Sequence, residues 1–294
     1  MVASPPMPAN ANRLFVSVEQ IGGEINGTVT LAHLRGQPIG SPNRRVFKVL
    51  ATPNQDLIYP APIKDLKAIQ QDPSHLCAYI YECDENEEWY TMEHVRGCNV
   101  ARLLGHYHNA QLPPWLVFDI LTPLIRGLLH LQEKGLCHIE LEDGDNVMVH
   151  NSASTSLFQV KLIGFEGVAV YDRSQDITVL EQVMALAKLM TGGKKKVADV
   201  YRRGSGGEPF GEKALEEAEH FYKLIAGKRY LGKFRYRTLR ELWNALSPQM
   251  VSVSAALKDD AMEEELRTIL AMEVVGHYQI ESAITRDRMD TANN

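Results

Sequence analysis

A long apolar helical pattern from Pro114 to Glu133 runs through Gly135 into Leu136-Cys137-His138-Ile139-Glu140-Leu141, and this junction constrains the fold most. Asn146-Val147-Met148-Val149 follows. After the polar turn Asn151 to Ser156 comes Val160-Lys161-Leu162-Ile163, closed by Gly164-Phe165-Glu166-Gly167. Pro114 suits a first-turn position, whereas Pro123 lies inside the pattern and is expected to kink the helix. His138, Glu140 and Asn146 are thus polar residues set in an apolar frame.

The 294 residues suit one two-lobed domain with a short tail, or two small domains. Apolar and charged fractions are those of an ordinary globular protein, and a net charge of −6 argues against nucleic-acid affinity of the whole chain. Cys77, Cys83, Cys98 and Cys137 lack metal-ligand spacing and read as free thiols in a reducing compartment. Met1 to Asn12, rich in Pro, Ala and Asn, shows no basic-then-apolar leader pattern. No apolar run is read as approaching the roughly 20 residues that cross a bilayer. The expectation is a cytoplasmic or nuclear protein without a membrane partner.

Leu14 to Glu19 and Thr28 to Leu34 alternate as half-buried strands do, and Arg45 to Leu50 reads as a third. A Pro-broken stretch (Pro53, Pro60, Pro62) precedes a short helix from Ile63 to Gln71. Cys77 to Cys83 and Glu88 to Met92 then complete a five-stranded sheet. From Gly97 the pattern turns helical, over Val100–Tyr107, Pro114–Glu133, Ile177–Met190, Lys213–Ile225 and Thr238–Ala245. Thr191-Gly192-Gly193 before Lys194, Lys195 and Lys196 is a helix stop, and Arg203 to Gly211 is Gly-rich. The expected divisions are an unstructured 1–13, a sheet lobe 14–93, a helical lobe 94–247 and a tail 248–294. That tail carries a helix at about 259–284, with Met262, Leu266, Ile269, Leu270 and Ile280 at helical spacing.

Several short segments occur in a telling order. Gly22, Glu24 and Gly27 with Val29 fit a loop of the form G-x-G-x-x-G-x-V in which Glu24 replaces the middle glycine; an ordinary hairpin turn predicts the same residues. Lys48 in Val46-Phe47-Lys48-Val49 is either a surface lysine on a strand or a phosphate-binding one. Met92, Glu93 and Val95 close a buried strand before Gly97. With His138-Ile139-Glu140-Leu141, Asn146, and Gly164-Phe165-Glu166, the series resembles the protein kinase superfamily. There the catalytic loop reads H-R-D-L-x-x-x-N and the metal-binding loop D-F-G.

The resemblance covers about residues 14–247 and implies an α+β, two-lobed kinase-like fold with a degenerate site. Gly22, Glu24, Gly27, Lys48, Met92, Glu93 and Val95 would then be a vestigial nucleotide site. Met92 is the gatekeeper, and backbone groups of Glu93 and Val95 face a base. Glu140 takes the catalytic aspartate's position, Ile139 that of an arginine and Glu142 that of a lysine. Asn146 stands one residue late for the metal-binding asparagine, and Asp145 is the alternative in that register. Gly164 replaces the aspartate that grips Mg²⁺, which removes a ligand outright. The helix glutamate that pairs with the strand lysine falls on Pro62, with Asp65 as a stand-in. Lys48 can instead pair with Glu24 or Glu166. His138, Phe165 and Asp176 take structural roles, Asp176 as a cap on backbone amides near His138. Only Gly167 to Gln175 separates the metal loop from that helix, too short for an activation loop and substrate platform.

The resemblance therefore implies a pseudokinase, not an enzyme. It would act as an interaction scaffold or allosteric regulator with protein partners and no cofactor, and would not bind Mg-ATP. Two alternatives stand beside it. One is an unconventional phosphotransferase with Glu140 as base and Glu166 or Asp145 for metal. The other is a polyanion or nucleic-acid binder using Phe221 to Arg240, where Lys228, Arg229, Lys233, Arg235 and Arg237 interleave with aromatics. The plain reading of that last segment is two ordinary helices, aromatics inward and cations outward.

Overall fold

The protein is described by a computed structural model over residues 8–22, 27–37, 44–50, 62–70, 76–86, 88–151, 158–193, 216, 218–223, 236–258 and 260–274. Outside these lie Glu24, the stretch with Pro53 and Pro60, and 152–157 of the expected turn. So do Lys194 to Lys196, Arg203 to Gly211, the cations Lys228, Arg229, Lys233 and Arg235, and the tail beyond 274. The chain divides at Arg96/Gly97 into two compact units, the second running to Ala271.

The first unit opens with α1 (Ala9–Asn12), β1 (Phe15–Gly22), β2 (Gly27–Leu34) and β3 (Arg45–Leu50). It continues with α2 (Ile63–Ile69), β4 (Ile80–Cys83) and β5 (Trp89–Glu93). All strands pair antiparallel in the order β1-β2-β3-β5-β4, the five-stranded sheet expected from the alternation. Side chains alternate between faces. One face packs Ala11, Phe15, Ala32, Phe47 and Trp89 into a core, with the Phe47 and Trp89 rings stacked at 5.2 Å. Lys48, pairing with Val29 and Tyr90, therefore lies on the opposite face with Val46 and Met92.

The expectation of an unstructured 1–13 is overturned for residues 8–13. Ala11 is fully buried, and Asn10 accepts from Trp89 Nε1 at 3.2 Å while donating to Asp84 at 2.7 Å. An indole N–H over a packed core needs an acceptor, and α1 supplies it. The expected strand from Cys77 begins only at Ile80. Upstream, the Gln70 side chain donates to Ala78 O (2.7 Å) and accepts from Ile80 N (2.6 Å), covering part of this edge.

The second unit contains β6 (Gly97–Asn99), α3 (Val100–Leu104), α4 (Pro114–Glu133), β7 (Leu136–His138), β8 (Val147–Asn151) and β9 (Phe158–Leu162). After these come β10 (Val168–Val170), α5 (Asp176–Met190) and α6 (Leu239–Leu257). Sheets β6-β8-β9 and β10-β7 flank the helices. Helix α4 has the expected bounds and continues through Pro123. Contrary to the reading that no segment approaches a bilayer span, α4 is long and apolar enough to cross one. Its side chains are instead largely buried in the unit's core.

The expected break at 247 falls inside α6, and residues 260–274 are helical. Leu266, Ile269 and Leu270 are buried, so this segment belongs to the protein's own core. Lys258, between the two helices, bridges Asp119 on α4 (3.1 Å) and Glu263 (2.9 Å). Its ammonium lies 5.2 Å from the Trp115 ring.

Candidate functional site

The loops after β7 and β9 hold the residues singled out in the sequence, and backbone hydrogen bonds fasten one to the other. Ile139 N donates to Gly167 O at 2.9 Å and Ile163 N to Asn146 O at 3.0 Å. His138 is fully buried, with Nε2 3.0 Å from Ile163 O and Nδ1 3.3 Å from Glu140 N. A carbonyl on one side and an N–H on the other require the neutral tautomer protonated on Nε2. Burial keeps this imidazole below the ordinary histidine range, with bonds to Ile163 and the charge of Glu166 opposing. Phe165, fully buried, anchors the second loop.

Asn146, not Asp145, faces the second loop. Its Nδ2 donates to Glu140 O at 2.9 Å, and its amide fills the space above Gly164. A Cβ placed on Gly164 would stand 1.9 Å from Asn146 Oδ1, and Gly164 has φ +68°, which side chains adopt at a cost. Asp145 turns to Asn99, whose Nδ2 donates to it at 2.8 Å. Partial burial and the neighbouring Asp143 hold the Asp145 carboxyl above its usual range. The Glu140 side chain lies over Gly167, where a Cβ would meet Glu140 Oε2 at 2.9 Å. Mg²⁺ does not fit this donor set, because position 164 has no ligand atom and no room for one.

The cap assigned to Asp176 is made by another residue. Gln182 on α5 accepts from the amides of Leu141 (2.8 Å) and Glu142 (3.0 Å), while Asp176 accepts from Tyr171 Oη at 2.7 Å. Asp176 sits in the first turn of α5, whereas Gln182 lies farther along that helix where it reaches the loop after β7. No local pattern in the sequence marks such a glutamine.

The interval after Gly167 is strapped down. Strand β10 pairs Val168, Ala169 and Val170 with His138, Cys137 and Leu136, and Tyr171 N donates to Gly135 O at 2.8 Å. Asp172 and Gln175 form a capping box, and Gln175 Oε1 also accepts from Cys137 Sγ at 2.9 Å. Burial raises the Cys137 thiol to about 11, so the thiol form predominates at neutral pH.

In the first unit, Lys48 and Met92 are buried on β3 and β5, and Val95 is buried just past β5. Pro62 stands at the N-cap of α2 and offers no carboxylate. The Glu93 N–H is committed to Tyr79 O at 2.7 Å. Gly22 and Gly27 end β1 and begin β2.

Of the basic-aromatic segment, Phe221 and Tyr222 are buried, Phe221 with its ring 4.7 Å from Phe118. Neither is exposed for stacking on a base. Arg237 is exposed, with its backbone N–H donating to Glu241, and Arg240 pairs with Glu133 at 2.5 Å.

By sequence, no family model and no curated protein matches the chain at a significant level. By structure, a mutant of the PknI kinase domain from Mycobacterium tuberculosis aligns over 85% of this chain and 99% of its own, at a TM-score of 0.51 and 17% identity. Vaccinia related kinase 3 aligns over 87% and 94%, at 0.50 and 11%. Identities this low speak for the fold alone. The chain has the protein-kinase-like fold, an antiparallel-sheet unit followed by a mainly helical one.

Proposed function

We propose that the chain is a pseudokinase, a kinase-like domain that does not transfer phosphoryl groups and serves as an interaction scaffold or allosteric partner for other proteins. The observation that carries this reading is the contact of Asn146 with Gly164. Phosphoryl transfer relies on metal and cationic groups to neutralise charge on the moving phosphoryl. Here the metal position is a glycine in the left-handed region, roofed by an asparagine amide already bonded to Glu140 O. Glu142, at the position of a lysine, adds negative charge where positive charge is needed. Glu140 retains a carboxylate, but its side chain lies over Gly167 and its backbone is tied to His138 and Asn146. The strapped 168–175 segment leaves no length for a substrate platform. These same contacts weigh against the phosphotransferase alternative, since Asp145, its candidate metal ligand, is turned to Asn99.

A thermal-shift titration with ATP and ADP, with and without Mg²⁺ or Mn²⁺, tests the reading on wild type and on Lys48→Ala. A ligand at a hundred times its Kd stabilises by about 2.7 kcal/mol, which a melting curve resolves. The expected outcome is no metal-dependent shift. A Mg²⁺-dependent shift that disappears in Lys48→Ala, accompanied by phosphate transfer, would overturn it.

A further inference from the structure

The exposed side of β4 carries a feature that the kinase-like site does not use. Tyr79 and Tyr81, 47% and 37% exposed, stack edge to face with ring centroids 5.1 Å apart. Arg45 Cζ lies 4.1 Å from the Tyr81 centroid while its Nη1 pairs with Glu82 at 2.7 Å. This is a worked example, within the chain, of how the surface receives a guanidinium: ring beneath, carboxylate beside. Tyr79 presents a second ring, and among the described residues no cation covers it.

The turn that follows β4 adds Asp84, Glu85 and Glu88. Glu85 and Glu88 are exposed with no cationic partner among the described residues, and the Asp84 carboxylate accepts from the Asn10 side chain and the Asn86 N–H. Arg45, the cation in the cluster, is balanced by Glu82. One hairpin, β4 and its turn to β5, therefore carries both the stacked rings and the acidic residues. Rings held by each other and by Arg45 lose little freedom on binding. Strand addition at this edge is obstructed, because the Gln70 side chain already takes Ala78 O and Ile80 N.

We propose that Tyr79 and Tyr81, with Asp84, Glu85 and Glu88, form a docking surface for an arginine-bearing cationic segment of a partner protein. The inference names a partner class for the interaction role above and rests on that reading. Its test uses no nucleotide, so the two fail separately.

The probe is a fluorescently labelled decapeptide of alternating arginine and glycine, with the lysine–glycine peptide of equal charge as comparison. Anisotropy is measured on the full chain at low salt. The arginine peptide is expected to bind more tightly than the lysine one. Tyr79→Ser/Tyr81→Ser should weaken it at least fivefold, and Tyr79→Phe/Tyr81→Phe should retain it. Glu85→Gln/Glu88→Gln should weaken both peptides together. Unchanged binding in the serine pair, with its melting temperature also unchanged, would overturn the proposal, as would no binding by wild type. So would a concentration-dependent dimer in sedimentation that the serine pair abolishes, since the patch would then be a contact between copies.

Discussion

The two units differ in how each holds the polar residues that the kinase resemblance singles out. In the first, Lys48 is a buried residue of the regular strand β3, placed there by the pairing register. In the second, Glu140, Asn146, Gly164 and Gly167 are taken up in fastening one loop to another. A side chain on a strand is positioned whether or not a ligand ever arrives. A loop that performs chemistry needs its polar atoms left available, and here they serve as bonds of the fold. The difference teaches that a strand residue keeps its place through the sheet, whereas the polar atoms of the second unit's loops are held by contacts whose removal costs stability.

The bluntest way to break this comparison is to ask whether the second unit is closed at all. Removing residues 259–294 deletes Leu266, Ile269 and Leu270 from the core, together with Glu263 that holds Lys258. At roughly 1.5–3 kcal/mol for each buried side chain, the gross loss is roughly 5–9 kcal/mol. That is comparable with the whole stability of an ordinary domain, about 5–15 kcal/mol. The truncated chain is expected to lose its cooperative near-UV circular dichroism transition. A truncated protein melting within a few degrees of the full chain would show a separable helix, free to dock on a partner.

The next effect is smaller and falls on the loops themselves. Gly164→Ala must hold a side chain at φ +68° and displace Asn146 from its bond to Glu140 O. Left-handed strain of about 1–2 kcal/mol and a lost hydrogen bond of about 1 kcal/mol predict a total near 2–3 kcal/mol. Urea melts read this directly, and Asn146→Ala/Gly164→Ala should recover only the steric part. If Gly164→Ala is neutral, the packing above position 164 is loose and the metal position is closer to recoverable than proposed.

The five strands, helix α4 and the order of the kinase-like segments were legible in the sequence because each rests on local periodicity or on a turn residue. What escaped rests on partners far along the chain. Gln182 caps Leu141 and Glu142 from about forty residues away, and a glutamine in a helix carries no mark of such a task. Residues 8–12 read as unstructured from their Pro, Ala and Asn content. The burial of Ala11 and the bonds of Asn10 to Trp89 Nε1 and Asp84 hold this segment on the sheet. The apolar spacing of Leu266, Ile269 and Leu270 announced a helix, but spacing alone could not say whether a partner or this chain's own core receives it.

The smallest effect sharpens the comparison at its centre, the neutral ring of His138. Burial lowers its folded pKa below the ordinary 6.5, so below that pH the unfolded chain takes up a proton that the folded chain refuses. The unfolded state then binds more protons, and stability must fall as pH falls from 6.5 toward the folded value. The slope is at most about 1.4 kcal/mol per pH unit. Urea melts at pH 7.5, 6.5 and 5.5 should show this decline in wild type. His138→Gln should be less stable at pH 7.5, because a bond to Ile163 O or Glu140 N is weakened. It should also decline less steeply, having no imidazole to protonate on unfolding. Parallel declines in the two proteins would mean that carboxylates carry the acid sensitivity and that His138 is charged in the fold. A charged ring would have to donate from both nitrogens, which the N–H of Glu140 facing Nδ1 opposes, so the loop would have to rearrange to accept the proton.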